Sequence, residues 1–326
     1  MAKAAAILAV LAATVALAGD NAGAQILSNR PITIVVPFTP GASADNLQRL
    51  VAKNITERTG QVFVVESRSG GSGSIGAVAV KQAPPDGHTL FQANVGSHAT
   101  NVALYPTLAY DPVRDFKPIT LMWTFPSLLW VPADSPVKSM AELVAYARSK
   151  PGGLSFASQG TGASGHLLGE LLKKQTGAPM VHVPYRGAGP ASVDLAAGRV
   201  DFFFSAYASL VALLHAGKVR AIAVASKGKR LPVLPDVPTA DEAGFAGFSL
   251  ETWFGVVAPA ATPDAAIDKL FAAFTQAVHD PDVGKTMVEQ GAEAVASRSP
   301  AEFASFMAAD TQRIGEVVRS IGVKGE

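Results

Sequence analysis

Apolar runs rich in β-branched residues alternate along this chain with segments whose apolar positions recur every three or four residues. Runs of the first kind are typical of buried strands, and segments of the second kind are typical of amphipathic helices. In the first part of the chain the pattern predicts strands at 32–38, 62–66 and 88–94, and helices at 44–60, 74–83 and 98–104. This strand–helix–strand rhythm indicates a parallel sheet covered by helices.

A second set of the same kind begins near residue 126. Here the pattern predicts strands at 127–133, 154–158, 180–184, 200–206 and 219–226, and helices at 139–150, 164–176, 188–197 and 207–216. A strand at 251–259 then returns the chain to the first set, and helices at 263–279, 281–290 and 300–321 follow. The chain therefore divides into two similar α/β halves.

Length and composition favour two globular domains. The chain has 326 residues, of which 48% are hydrophobic, and this exceeds what one hydrophobic core usually supports. The net charge is +1 and the charged residues are scattered, so no basic patch indicates a nucleic-acid partner. The sequence contains no cysteine, which excludes disulfides and a lipidated cysteine.

Residues 1–24 have the layout of a cleavable signal peptide. Lys3 is followed by an apolar run from Ala4 to Ala18 and then by small residues. This run is too short to span a membrane readily as an anchor. The small residues that follow favour cleavage after Ala24, and cleavage after Ala18 is a second option. A buried N-terminal helix is the alternative. We therefore expect an exported protein.

Two loops, at 37–45 and 158–166, have the composition of an anion site. Each follows a predicted strand, leads into a helix, contains glycine and lacks Lys and Arg. The first N–H groups of a helix have no partner within the helix and favour an anion. A carboxylate could be held between two such loops. Alternatively, both are ordinary turns in which Ser43 and Ser164 cap the helices.

The spacing G-x-G-x-x-G occurs twice, once at Gly160, Gly162 and Gly165 and once at Gly71, Gly73 and Gly76. A dinucleotide fold should place an acidic residue about 20 positions further on, at the end of the next strand. After the first match that position holds Arg186. After the second, Asp86 lies in a turn before the strand. Neither loop reads G-x-x-x-x-G-K-[ST], so a nucleotide is excluded and we expect no cofactor.

The motifs of catalysis and metal binding are also missing from the sequence. No G-x-S-x-G occurs, and the six histidines are too widely spaced to indicate a metal site. His166 is expected in the first turn of its helix, either facing a ligand or capping the surface. Ser205 and Tyr207 follow an apolar strand whose phenylalanines are expected in the core, and are better candidates for the pocket.

Longer stretches of the chain resemble the Bug family, the periplasmic receptors of tripartite tricarboxylate transporters. The resemblance runs from about Arg30 to the C-terminus. It is carried by PITIVVPFTPGASAD, VVESRSGGSGSIGA, PPDGHTLFQAN, LYPTLAYDPVRDFKPIT, PVKSMAELVAYARSKPG, HVPYRGAGPASVDLAAGRVD, LPDVPTADEAG and TWFGVVAPAATP. These stretches occur in the family's order and with matching spacing.

The resemblance implies an α/β, two-lobed type II periplasmic-binding-protein fold (a Venus flytrap), each lobe a mixed, mostly parallel sheet flanked by helices. It places one lobe at 30–127 plus 254–326 and the other at 128–253, with a hinge near 126–128 and 252–255. It implies a monomer without enzymatic activity that captures a small dicarboxylate, tricarboxylate or aromatic acid for membrane transporter subunits. A receptor for a sensor kinase and a secreted Ser/His hydrolase are the alternatives.

The same resemblance implies which residues contact the ligand. In one lobe they are Phe38, Thr39, Pro40, Gly41, Ala42 and Ser43. In the other they are Gly160, Thr161, Gly162, Ala163, Ser164 and His166. The predicted set also includes Ser97, His98, Ser205 and Tyr207.

Three positions depart from the family pattern. Ala42 replaces the second glycine of P-G-G, and Ala163 stands where Ser or Thr is usual. Ser205 replaces an Asp that could pair with a ligand amino group, so an amino-acid ligand is disfavoured.

Arg68 and Arg186 each follow a strand and are candidates for a second anion contact, with solvated loop charges as the alternative. At the hinge, a bulky β-branched residue at Gly255 is expected to impair closure more than folding.

Overall fold

The computed structural model describes residues 26–226 and 228–322. In these residues strands and helices alternate as the sequence pattern predicted. The predicted signal peptide lies outside these residues. The strands are β1 (Ile32–Val36), β2 (Phe63–Ser67), β3 (Thr89–Asn94), β4 (Phe116–Pro132), β5 (Leu154–Ser158), β6 (Met180–Pro184), β7 (Phe202–Ser205), β8 (Val219–Ala225), β9 (Glu251–Pro259) and β10 (Glu293–Ala294).

The helices alternate with these strands along most of the chain. They are α1 (Ser43–Thr59), α2 (Ser74–Lys81), α3 (Asn101–Leu104), α4 (Met140–Ser149), α5 (Ser164–Thr176), α6 (Ala188–Ala196), α7 (Val211–His215), α8 (Asp264–Val278), α9 (Pro281–Glu289) and α10 (Pro300–Ile321). A π-helical turn at Gly96–Thr100 precedes α3, and short 3-10 turns occupy Gly71–Gly73 and Tyr207–Ser209. Within the described residues, every helix falls short of the length and apolar character that a membrane span needs.

Two sheets share strand β4. The first has the order β2-β1-β3-β9-β4-β10, and the second has the order β8-β4-β7-β5-β6. The pairs of β1 with β2 and β3, and of β5 with β6 and β7, are parallel. Strands β4 and β9 run antiparallel to their neighbours. Each half is thus an α/β unit whose parallel strands end in loops that lead into helices.

The pattern predicted only the second half of β4. Residues before Pro126 were not predicted as a strand, yet Phe116–Pro126 pairs with β9 along its whole length. Two prolines, Pro118 and Pro126, interrupt the run, and proline donates no ladder hydrogen bond. The register with β9 shifts twice, beginning at Pro118, so the strand continues through irregular pairing. One long strand therefore crosses from the first sheet into the second.

Helix α1 shows why its sequence forms a helix against the first sheet. Leu47, Val51 and Ile55 recur every four residues and are fully buried in one apolar cluster. Burial of each such side chain contributes about 1.5–3 kcal/mol. Gly60 ends the helix in the left-handed conformation with φ of 71°, as its position predicted. This packing fixes the position of the loop that precedes α1.

Gly255 is a packed position in β9. A Cβ atom there would lie 2.1 Å from Cζ of Phe303 in α10 and 2.8 Å from the backbone oxygen of Thr120. This packing argues against the expectation that a β-branched residue would impair closure more than folding, because the side chain would first disturb the packing of β9 on α10. The limits of the lobes and the position of the hinge stay predictions.

Candidate functional site

The loop between β1 and α1 is held by a buried carboxylate. Gly41, with φ of 84°, donates its N–H to Oδ2 of Asp45 at 3.0 Å. Arg49 binds both oxygens of Asp45 at 2.9 and 3.0 Å, and Ser67 donates to Oδ1 at 3.2 Å. Burial raises the pKa of Asp45, but the hydrogen bonds from Arg49 and Gly41 outweigh it and hold the pKa below its usual value. The negative charge of Asp45 is thus neutralised by Arg49, and Asp45 serves to hold the loop.

The loop between β5 and α5 is held by a histidine instead. Gly162, with φ of 79°, donates its N–H to Nδ1 of His166 at 3.0 Å. Ala163 donates its N–H to the oxygen of Gly160 at 3.1 Å. A Cβ atom at Gly165 would lie 2.5 Å from the backbone oxygen of Phe204, so this glycine lets α5 lie close to β7. Packing and loop conformation therefore account for this G-x-G-x-x-G spacing.

Both helices begin with alanine at the N-cap. Ala42 and Ala163 hold that position and provide no capping side chain, so the alternative that Ser43 and Ser164 cap these helices is wrong. By contrast, Ser139, Asp280 and Ser299 cap α4, α9 and α10 through their side chains. The N–H groups of residues 43–45 and 164–166 have no acceptor within the described part of the chain. Two helix N-termini are therefore open to an external acceptor.

His166 stacks on a second histidine behind the loop. The rings of His166 and His182 lie 3.7 Å apart and are inclined by 8°. Burial, with a smaller effect of the positive charge of Lys173, lowers the pKa of His166 to about 4. Burial, with smaller effects of His166 and Lys173, lowers the pKa of His182 to about 4 as well. Both rings are neutral at pH 7, and neither supplies a positive charge to a ligand.

Ser158 links His182 to the loop. Nε2 of His182 lies 2.6 Å from Oγ of Ser158. The same oxygen lies 3.1 Å from the N–H of Gly160 and 3.0 Å from its carbonyl oxygen. Next in the chain, Gln159 donates from Nε2 to Oγ of Ser205 at 3.0 Å. Sequence reasoning missed Ser158, Gln159 and His182 as site residues.

The predicted contact residues differ in exposure. In the first loop Thr39, Pro40 and Gly41 are exposed, and Phe38, Ala42 and Ser43 are half-buried. In the second loop Gly160, Thr161, Ala163 and Ser164 are half-buried, and Gly162 and His166 are buried. Phe38 packs on Phe254, and Ala206, directly after β7, packs against the same cluster. The structure thus brings the first loop and the end of β7 to one cluster.

Four further predicted contacts lie in the interior. His98 is 1% exposed, and its ring packs against Phe91, Phe116 and Trp253. Its Nδ1 lies 2.9 Å from Oγ of the fully buried Ser97, and burial lowers the pKa of His98 to about 3. This placement argues against the predicted ligand contacts of both residues. Ser205 and Tyr207 are buried as well.

The two arginines differ in their surroundings. Arg68 pairs with Glu66 at 2.6 Å on the surface, which fits the alternative of a solvated loop charge. Arg186 is exposed and forms no ion pair with any described residue. Its neighbour Gly187 donates its N–H to the oxygen of Gln159 at 3.2 Å. This hydrogen bond places Arg186, which follows β6, next to the second loop.

No group of acidic, His or Cys side chains suited to a metal ion occurs in the described residues.

Two α/β units joined by crossing strands, with open helix N-termini after β1 and β5, define a two-lobed solute-binding protein. The chain belongs to the tripartite tricarboxylate transporter family receptor group (TctC), whose family model matches residues 47–323. The predicted family and fold class are confirmed. The family is one of periplasmic solute-binding receptors.

Curated relatives cover most of the chain. The UPF0065 protein in the tcbD-tcbE intergenic region of Pseudomonas sp. (strain P51) is 41% identical over 87% of this chain and 84% of its own length. Protein BugT of Bordetella pertussis (strain Tohama I) is 33% identical over 98% of both chains.

Solved structures share the fold. R. palustris Rpa4515 with adipate has a TM-score of 0.84 and 38% identity, covering 90% of this chain and 98% of that one. MatC (Rpa3494) from Rhodopseudomonas palustris with bound malate has a TM-score of 0.79 and 36% identity, covering 89% of this chain and 99% of that one.

Proposed function

We propose that this receptor captures a small organic carboxylate between its two lobes and delivers it to a tripartite tricarboxylate-type membrane transporter. The observation that carries the proposal is the pair of helices, α1 and α5, that begin with alanine and leave their first N–H groups without acceptors. In open α/β sheets, ligands bind at such loops beyond the carboxyl ends of strands. Adipate and malate bound to relatives support the same class of ligand.

Backbone N–H groups are sufficient for this task without a cation in either loop. A helix N-terminus favours an anion by about 0.3–1 kcal/mol, and by about 2 kcal/mol when partly buried. Each charge-assisted hydrogen bond adds about 1.5–3 kcal/mol. Micromolar affinity needs about −8 kcal/mol, which two such termini and a few further contacts supply. We therefore propose that one carboxylate lies between Ala42–Asp45 and Ala163–His166.

The remaining features narrow the ligand to a dicarboxylate or another acid without an amino group. Ser205 is buried and accepts a hydrogen bond from Gln159, so it provides no charge for a ligand ammonium. Arg186, exposed and without an ion pair among the described residues, is the candidate contact for a second carboxylate. We assign the lobes to 30–127 plus 254–326 and to 128–253.

A thermal-shift screen of the chain from residue 25 tests this proposal. The panel contains adipate, malate, citrate, benzoate, aspartate, glutamate and NAD. A ligand at about 100 times its dissociation constant adds about 2.7 kcal/mol to the free energy of unfolding, a clear shift in Tm. A shift confined to the acids without amino groups is expected. A response to NAD alone, or to no carboxylate, would contradict the proposal.

A further inference from the structure

The conformation of the second loop depends on a residue that lies behind it. We propose that His182 is a positioning residue of the carboxylate site: it holds Ser158, and through Ser158 it fixes the backbone of the loop that leads into α5. This inference rests on the proposed function of that loop. His182 lies in β6, and its ring stacks on that of His166 in the first turn of α5.

The hydrogen bonds around Ser158 are satisfied in only one arrangement. The hydroxyl has one proton and accepts two further bonds. If it donates to the carbonyl of Gly160, it accepts from the N–H of Gly160 and from Nε2–H of His182, and all three observed distances are used. Gly160 has φ of 136°, which glycine adopts readily, and its two hydrogen bonds with Ser158 hold it in this one conformation. His182 supplies the donor that completes this support.

The stacked ring extends the same support to the far end of the loop. His166 accepts the N–H of Gly162 at Nδ1, which requires the neutral ring with its proton on Nε2. The ring of His182 covers one face of His166 and holds it in this orientation. His182 thus contacts both residues that bind the loop backbone, Ser158 at its start and His166 at its end.

Two substitutions separate the two contacts of His182. His182→Phe keeps an aromatic ring for the stack and removes the donor to Ser158. His182→Gln keeps an N–H donor near the same position and removes the ring. Because the donor completes the support of Gly160, His182→Phe is expected to weaken binding of adipate or malate about tenfold. His182→Gln is expected to retain affinity within about threefold of the wild type.

Amide hydrogen exchange of the ligand-free chain tests the inference without relying on binding. Segment 158–166 is expected to exchange faster in His182→Phe and in Ser158→Ala than in His182→Gln, which loses the stack on His166 and keeps the donor to Ser158. The matched control is His88→Phe, because His88, directly before β3, forms the same kind of pair with Ser28 at 2.8 Å. In this control, exchange of segment 158–166 is expected to match the wild type.

A double-mutant cycle completes the test with adipate and malate as probes. If His182 acts through Ser158, the double variant Ser158→Ala/His182→Phe binds as Ser158→Ala alone. Fully additive losses, or unchanged exchange of segment 158–166 in His182→Phe, would overturn the inference. If neither acid binds the wild type, the choice of ligand in the proposed function fails, and the exchange experiment still decides the role of His182.

Discussion

Gly162 lies directly against Leu104. A Cβ atom on Gly162 would be 2.3 Å from Cδ1 of Leu104 and 3.5 Å from Cγ2 of Thr100. Gly162 belongs to the loop before α5, and Leu104 ends α3, so this contact joins elements that we assign to different lobes. The absence of a side chain at residue 162 is what allows this close approach.

Substitution of this glycine is expected to weaken ligand binding. Gly162→Ala meets Leu104 and places alanine at φ of 79°, where the strain is about 1–2 kcal/mol. We expect about a tenfold rise in Kd for the carboxylate, measured by calorimetry. Leu104→Ala in the same chain removes the collision and should restore part of the affinity, because only the backbone strain remains. No restoration would show that the contact with Leu104 does not limit binding.

Gly255 gives a prediction about stability instead of closure. Gly255→Ala brings a Cβ atom against the ring of Phe303 and the backbone of Thr120, so we expect a loss of about 1–3 kcal/mol in the free energy of unfolding. The matched control is Gly284→Ala in α9, where a Cβ atom meets nothing within 4 Å. That change should stabilise by about 0.5–1 kcal/mol. Equal Tm values for the two variants, measured by calorimetry, would contradict this packing argument.

Local sequence pattern is sufficient for most of the fold and for the place of the two loops. The helix at 164–176 and its loop follow from apolar periodicity and glycine spacing, which depend on neighbouring residues alone. The first half of β4 was missed because Pro118 and Pro126 break the strand pattern, and only pairing with β9 makes it a strand.

The support of the site could not be predicted in the same way. His182 meets Ser158 because β5 and β6 pair with Phe156 beside His182, a register that is set by the whole sheet. Ser43 and Ser164 looked like caps because serine favours that position, but each helix begins one residue earlier in the chain, with alanine as its cap. Moving the N-cap by one residue, from serine to alanine, therefore decides whether the first N–H groups of the helix are capped or free to bind a ligand.

Stability is expected to fall in acid because of His98. Burial lowers its pKa to about 3 in the folded protein, whereas in the unfolded chain it takes up a proton near its ordinary value of 6.5. Between these values the unfolded state binds more protons, so the contribution of His98 is complete above pH 6.5 and decreases as pH falls towards 3. The slope is up to about 1.4 kcal/mol per pH unit. His166 and His182, each with a pKa of about 4, act in the same direction.

Urea unfolding at pH 7, 6 and 5 measures this slope. His98→Asn keeps a donor towards Ser97 and removes the titrating ring, so its stability should depend less steeply on pH than that of the wild type. The comparison concerns the slope, because the loss of aromatic packing lowers stability at every pH. Parallel slopes for the two chains would mean that His98 does not remain neutral in the folded state.

A capping side chain at the start of α5 should separate stability from function. Ala163→Asp places a carboxylate where it accepts the N–H groups of the first turn, which should stabilise the fold by about 0.5–2 kcal/mol. The same carboxylate occupies the proposed ligand site and repels the anion, so thermal shift with adipate or malate should disappear while Tm of the ligand-free chain rises. Ala163→Asn tests whether the negative charge of the aspartate matters. It should cap the helix as well as Ala163→Asp and weaken binding less. Ser139→Ala removes a cap from α4 and should lower Tm without changing affinity. A variant Ala163→Asp that binds adipate or malate as well as the wild type would place the ligand away from this helix terminus.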